Sequence, residues 1–304
     1  MKILITGITG FVGQNLNSYL ANDFDVIGIS RTKTSNSLNY EEFFYEKLDY
    51  EAIVHLAGKA HDLKKTTNDS EYYQVNFELT KRLYDQFLQT DAQKFIYISS
   101  VKAAADKVEG ILTEAIVPHP VTIYGKSKIL AEEYILANLP SDKEVYILRP
   151  CMIHGPGNKG NLNLLYKLVS KDLPWPLGAF ENQRSFLSIE NMCFVIKELL
   201  SNESIPSGVY NVADDESLST NDLIELIAAS QKRKARLLKI SPRLITTIAR
   251  IGDFLYLPLN AERLQKLTES YAVSNVKIIT AIGKPLPLQT KEGLRRTFGY
   301  FLGQ

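Results

Sequence analysis

The chain has 304 residues, 45% of them hydrophobic, with 35 Lys and Arg against 34 Asp and Glu. That balance leaves no global field to draw the protein to nucleic acid or to an anionic membrane surface, and the length suffices for a large core without metal or disulfide support. Cys151 and Cys193 offer neither a disulfide framework nor a metal-ligand spacing, so both read as small buried apolar residues of a reducing, cytoplasmic compartment, and the expected partner is a small molecule.

The N-terminal MKILITGITGF is apolar but is broken by Thr6, Gly7 and Gly10 before it could form a signal-peptide core, so the mature chain is expected to begin at Met1. Short β-branched runs then alternate with helical patterns: KILIT and a helix from Val12 to Ala21; DVIGIS; AIVHLAG and a helix from Tyr72 to Leu88; KFIYISS and a helix from Tyr124 to Asn138; EVYILRP. This alternation predicts an α/β fold with a parallel sheet covered on both faces. Too few residues lie between DVIGIS and AIVHLAG for a full strand and two helices, so one crossover there must be abbreviated and that sheet edge irregular.

Residues 1–150 read as one domain. After Pro150 a Gly/Asn/Pro-rich loop, a helix, a second loop and mixed short elements suggest a smaller lobe over 151–304, with SFLSIEN, its following helix and VYNVAD (about 184–213) returning to the first domain. Leu244 to Leu259 reads as an amphipathic helix of this lobe, because Arg250, Asp253 and Pro258 interrupt it short of the ~20 apolar residues of a membrane span.

Gly7, Gly10 and Gly13 form GxxGxxG between the first strand and the first helix. A turn free of Cβ atoms lets backbone N–H groups and a helix N-terminus approach a pyrophosphate, so this turn, with Thr9, Phe11 and Val12, is the expected dinucleotide site. The end of the second strand commonly carries an acid for the adenosine ribose; here Ser30 and Arg31 stand there, which favours NADP(H) and leaves NAD(H) open. Tyr124 and Lys128 lie four apart in a helical pattern and so share one face, where an ammonium can act on a phenol. Lowering a phenol from about 10 to about 7 takes roughly 4 kcal/mol, which Lys128 and a positive nicotinamide are expected to share. Ser99 and Ser100 close the preceding strand and offer a hydroxyl to a reacting oxygen.

The order of glycine turn, strand-end serine and YxxxK, with the HLAG strand, Arg149 and Pro150 in LRPCMIHGPG, Arg184 in NQRSFLSIEN and the terminal GKPLPLQTKEGLRRTFGYF, resembles the extended short-chain dehydrogenases, and within them the NAD-dependent epimerase/dehydratase family of nucleotide-sugar enzymes. The resemblance implies a Rossmann doubly wound sheet with a smaller C-terminal substrate-binding lobe. It implies that Leu56, Ala57, Gly58 and Pro150 line the cofactor and that Ser100, Tyr124 and Lys128 are catalytic. It further implies that Asn76 lies near the active site, that Arg184 and Asn161 reach a substrate diphosphate, and that the helices bearing Tyr72 and Tyr124 form a homodimer. Where sugar 4,6-dehydratases of the family carry Asp-Glu after the strand-end hydroxyl, this chain has Val101 and Lys102, which argues against dehydration. The segments HLAGKAHDLKK and YISSVKAAAD are similar to bacterial reductases acting on UDP-linked 4-keto-6-deoxy-N-acetylhexosamines in surface polysaccharide synthesis, with His61 and Lys102 near the sugar. Three functions stay open: a C4 ketoreductase, a 4-epimerase of a UDP-hexose or UDP-N-acetylhexosamine that retains NAD, and a non-catalytic NADP-sensing regulator, which would not need the triad. His55, His119 and His154 are scattered singly and read as structural, with no metal site.

Overall fold

The computed structural model describes residues 1–34, 37–46, 48–59, 68–158, 160–255 and 260–303. Seven strands form one all-parallel sheet: β1 (Lys2–Thr6), β2 (Asp25–Ser30), β3 (Ser37–Asn39), β4 (Ala52–His55), β5 (Lys94–Ile98), β6 (Glu144–Pro150) and β7 (Gly208–Val212). Their spatial order is β3-β2-β1-β4-β5-β6-β7, so the winding reverses between β1 and β4, and a crevice opens at the carboxyl ends of those two strands. This is the doubly wound arrangement that the alternating pattern predicts.

Strand periodicity sorts the side chains into two cores. Ile3 and Ile5 face one layer with Leu16 and Leu20 of the helix Phe11–Leu20 and with Met192, Val195 and Ile196 of the helix Ile189–Ser201. Leu4 faces the other layer, with Leu83 and Phe87 of the helix Leu79–Leu88 and Ala131 and Ile135 of the helix Ile123–Ala137. Burial on both faces explains why these strands read as continuous apolar runs.

The expected abbreviation lies at the β3 edge. Only residues 31–36 separate β2 from β3, which is three residues long, and the six-residue helix Tyr40–Tyr45 alone leads on to β4. The helix expected from Tyr72 to Leu88 is interrupted: Asp69–Tyr73 is α-helical, Gln74–Glu78 is a π turn, and Leu79–Leu88 resumes the α-helix.

Beyond β6, Gly208–Val212 returns to the main sheet as an edge strand, whereas Phe186–Ser188 pairs with Met152–His154 in a separate two-stranded ladder. The segment from Thr220 onward is mainly helical, with Thr220–Ser230, Pro242–Phe254, Ala261–Thr268, Val276–Ile282 and Thr290–Leu302. Leu162, Phe186, Leu223 and Phe298 form one core there, and Trp175, Leu177, Ile245 and Leu264 a second. No helix of the described residues is long and apolar enough to cross a membrane.

A buried polar chain crosses the sheet below the crevice. His55 bonds Thr6 through Nδ1 at 2.6 Å and Thr80 through Nε2 at 2.9 Å; the Thr80 hydroxyl donates to the Asn76 carbonyl, and the Ala57 N–H donates to the Thr6 oxygen. Burial first, and the nearby Lys128 charge second, push the His55 pKa from 6.5 down to about 3. Folded His55 therefore stays neutral while the unfolded chain takes up a proton below about pH 6.5. Its contribution is complete above that pH and falls as the pH drops towards 3, at up to about 1.4 kcal/mol per unit. Between pH 6.5 and 5, denaturant titrations of the wild type should lose about 2 kcal/mol more than those of His55→Gln; equal losses in the two proteins would refute this assignment.

Candidate active site

The helix Ile123–Ala137 organises the site. Its N-terminus is fixed by the Thr122 side chain, which accepts from the Gly125 N–H, and by the Asp106 carboxylate, which accepts from the backbone N–H groups of Val121 and Thr122 at 2.6 and 2.9 Å. Tyr124, Lys128 and Glu132 then follow at four-residue spacing along the stripe that faces the sheet. Glu132 is fully buried and forms a two-pronged ion pair with Arg149 of β6, with Nε at 3.0 and 3.1 Å from the two carboxylate oxygens and Nη2 at 2.5 Å. The Ser99 hydroxyl donates to the same carboxylate.

Ser100 caps the short helix Val101–Ala104, its hydroxyl oxygen accepting from the Lys102 N–H at 3.2 Å. Lys128 donates from Nζ to the Ile98 carbonyl at 2.8 Å and lies 4.8 Å above the Tyr97 ring. Burial lowers its pKa from 10.5 to about 8, with Glu132 opposing. The pKa of Tyr124 is raised, first by burial, with a hydrogen bond from Ser100 opposing and Tyr72 adding to it. The lowering expected from Lys128 and a positive nicotinamide concerns the cofactor-loaded site; in the chain alone one Lys128 N–H goes to the Ile98 carbonyl.

A cavity of about 240 Å³ gathers Leu56, Gly58, Ser99, Ser100, Tyr124, Lys128, Pro150 and Cys151 on its wall. It joins sequence-distant residues from the ends of β4, β5 and β6 to the helix face. At Gly58 a Cβ would lie 3.0 Å from Lys128 Nζ and 3.2 Å from Asn76 Oδ1, so a side chain there would displace the lysine.

At the crevice, Gly7 adopts φ 70°, and a Cβ there would lie 2.9 Å from the Ala57 backbone. A Cβ at Gly13 would lie 2.4 Å from the Gly7 carbonyl oxygen, so helix Phe11–Leu20 can sit this close to the turn only without one. That helix begins at Gly10 with no side-chain cap, leaving its first N–H groups for an anion. Thr9, Phe11 and Val12 lie on this turn and the opening of the helix. These features fit a dinucleotide. Ser30 at the end of β2 is buried and turned inward, donating to the Thr32 carbonyl at 2.6 Å and bonding Ser37 at 2.9 Å, while Arg31 is exposed.

The other predicted residues are dispersed. Asn76, in the π turn, spends its amide on both backbone groups of Lys59 and on the Ser127 hydroxyl, holding the end of the HLAG loop against the helix Ile123–Ala137. Lys102 donates to the Asp106 carbonyl at 2.7 Å, stacks 4.1 Å over the Tyr271 ring, and has its pKa lowered mainly by burial, with Arg184 a further contributor. Arg184 donates to the Lys266 carbonyl at 2.5 Å. Asn161 is exposed at the first turn of the helix Asn161–Val169, and His61 lies outside the described residues. Glu132 is the partner that sequence reasoning missed; the signal available was its four-residue spacing from Lys128. Tyr271, whose hydroxyl donates to the carbonyls of Ala105 and Val101, was likewise unread.

Residues 3–213 match the model of the NAD dependent epimerase/dehydratase family. The chain belongs to this family. Members similar to it include a UDP-glucose 4-epimerase from Vibrio cholerae, 32% identical with 75% of each chain covered. An N-acetyl-alpha-D-glucosaminyl-diphospho-ditrans,octacis-undecaprenol 4-epimerase from Escherichia coli O157:H7 is 26% identical, over 98% of this chain and 95% of the other. A GDP-6-deoxy-D-talose 4-dehydrogenase from Aggregatibacter actinomycetemcomitans is 29% identical, over 75% and 79%. The fold matches that of UDP-glucuronic acid 4-epimerase from Bacillus cereus in complex with NAD, with a TM-score of 0.75 and 20% identity over 100% and 99% of the two chains. The protein is accordingly an enzyme of the extended short-chain dehydrogenase type, in a family that uses a nicotinamide dinucleotide.

Removing one partner of a buried ion pair strands the other charge at a cost of about 3–5 kcal/mol. Glu132→Ala should lower the unfolding free energy by that amount. Ser99→Ala, which removes one donor to that carboxylate, should cost about 1.5–3 kcal/mol. Chemical denaturation of the two variants checks the ranking, and similar small losses for both would contradict the role given to the pair.

Proposed function

We propose that the protein is a reductase that converts the C4 ketone of a UDP-4-keto-6-deoxy-N-acetylhexosamine to the alcohol at the expense of NADPH, in polysaccharide biosynthesis. The observation that carries the reading is the end of β2, where Ser30 turns inward and Arg31 is exposed in place of a carboxylate. A guanidinium there suits a 2′-phosphate, which a carboxylate would repel. A similar protein is named as a 4-dehydrogenase of a GDP-6-deoxy sugar, a net oxidoreductase at the same carbon.

When bound, the reduced nicotinamide supplies the hydride to C4. Tyr124 supplies the proton to the C4 oxygen, and its burial-raised pKa keeps that proton in place before the step. Ser100 holds the oxygen by a hydrogen bond, and Lys128 places a cation beside the reacting groups from its seat on Ile98. The family resemblance assigns Arg184 and Asn161 to the diphosphate and Lys102 to the sugar; His61, assigned with Lys102, lies outside the described residues. A second reading, 4-epimerisation with retained NAD, is favoured by the names of the Vibrio and Escherichia relatives. It uses the same Ser100, Tyr124 and Lys128 but returns the cofactor unchanged.

Titration calorimetry should give NADPH a lower Kd than NADH. Arg31→Ala should narrow the difference by about 1–2 kcal/mol, the scale of a charge-assisted contact, and equal affinities in the wild type would remove the NADPH assignment.

With UDP-4-keto-6-deoxy-GlcNAc, one NADPH should be oxidised per sugar reduced, and Tyr124→Phe should abolish turnover with cofactor binding nearly unchanged. Conversion of UDP-GlcNAc to UDP-GalNAc, with tightly held NAD and no net absorbance change, would establish the epimerase instead. Activity of Tyr124→Phe within tenfold of wild type would overturn the proton-donor role in either reading.

A further inference from the structure

The whole chain is nearly neutral, but its charge is not evenly spread. Between residues 232 and 255 stand Lys232, Arg233, Lys234, Arg236, Lys239, Arg243 and Arg250 against a single acid, Asp253. The remainder of the chain is therefore net negative. Arg233 and Arg236 lean on Asp172, at 3.5 and 3.4 Å. The other five cations form no ion pair among the described residues, and all five are exposed.

This segment includes the helix Pro242–Phe254, which buries Ile245, Ala249 and Gly252 against the second lobe. A second apolar stripe faces outward: Leu244 is 54% exposed, Ile248 41%, Ile251 51% and Leu255 56%, with Phe254 beside them at 84%. Positions 244, 248, 251 and 255 follow the i, i+4, i+7, i+11 spacing, which at 3.6 residues per turn sets them in one line. Arg243 and Arg250 lie about a third of a turn from that line, so their charged ends can reach a polar layer while their stems flank the apolar one.

We propose that this face docks the enzyme on the surface of an anionic phospholipid bilayer, the stripe entering the interface and the basic segment meeting the lipid phosphates. Only a bilayer surface of this kind offers an apolar layer bounded by a dense negative one, which is the arrangement the helix presents. Nucleic acid would answer the cations but leave four aliphatic side chains without a partner. A second copy of the chain would bring the same cations face to face. The inference concerns the position of the enzyme and does not depend on whether it reduces or epimerises its sugar.

Flotation of the full-length protein with vesicles tests it. Vesicles of phosphatidylcholine with 30% phosphatidylglycerol, a composition chosen at roughly the anionic content that attracts basic segments, should carry the protein upward, and pure phosphatidylcholine vesicles should not. The bound fraction should fall when salt screens the charges. The affinity should fall roughly fivefold for each of Arg243→Gln and Arg250→Gln, and Ile248→Asp with Ile251→Asp should abolish flotation. These are surface positions outside the catalytic cavity, so turnover of a soluble substrate should be unchanged and reports that each variant is folded. Absence of flotation on the anionic vesicles would overturn the proposal. So would undiminished flotation of the double aspartate variant, or a wild-type dimer that this variant turns into a monomer, since the face would then belong to a second copy.

Discussion

The buried pair of Glu132 and Arg149 is the constraint on which the rest of the site depends. Two charges withdrawn from water are tolerable only if each satisfies the other, and here the guanidinium takes both carboxylate oxygens while Ser99 donates to one of them. The pair ties the helix Ile123–Ala137 to β6, and through Ser99 to the end of β5. Once the helix is fixed at Glu132, its rotation and height are fixed at Lys128 and Tyr124, eight residues and about 12 Å away. The distance from Tyr124 to the serine-bearing strand end is thus set from below.

A second constraint acts at the top of β1 and β4. The winding reversal opens a crevice there in any fold of this type, but its use for a dinucleotide requires the backbone itself to form the wall. Gly7 and Gly13 leave no room for a Cβ, and Gly58 leaves room only for the Lys128 ammonium and the Asn76 amide. Beneath this wall, the Thr6, His55, Thr80 and Asn76 chain hydrogen-bonds the end of β4 and the loop after it to β1 and to the π turn. The crevice wall and the cavity of about 240 Å³ therefore meet at Gly58, against which Lys128 lies.

Where a segment's environment is uniform, the sequence was legible. EVYILRP and DVIGIS occupy β6 and β2 with the bounds expected, because burial against the flanking layers selects β-branched and aliphatic residues, and the glycine turn declares itself by steric need. Interactions between distant segments were not legible. The π turn at Gln74–Glu78 holds Asn76, whose amide is spent on Lys59 and Ser127, and no local pattern announces either bond. Glu132 went unread because its partner, Arg149, lies on another strand. SFLSIEN read as returning to the first domain; Phe186–Ser188 takes Met152–His154 as its strand partner, a pairing no local pattern announces, while the helix that follows packs Met192, Val195 and Ile196 against the main sheet.

The proton on Tyr124 depends on more than the spacing that pairs it with Lys128. Four residues bring an ammonium and a phenol to one helix face, and the simplest inference is that one lowers the pKa of the other. In the protein one N–H of the ammonium donates to the Ile98 carbonyl, and burial acts on both groups in the sense that removes charge: the lysine falls to about 8 and the phenol rises. Such a phenol holds its proton through the neutral range and is ready to give it to an oxygen that gains negative charge. Running the step in the opposite sense would require the phenolate, and hence an additional positive charge close to the hydroxyl to offset the burial. The chain alone therefore leans toward donating a proton at this position.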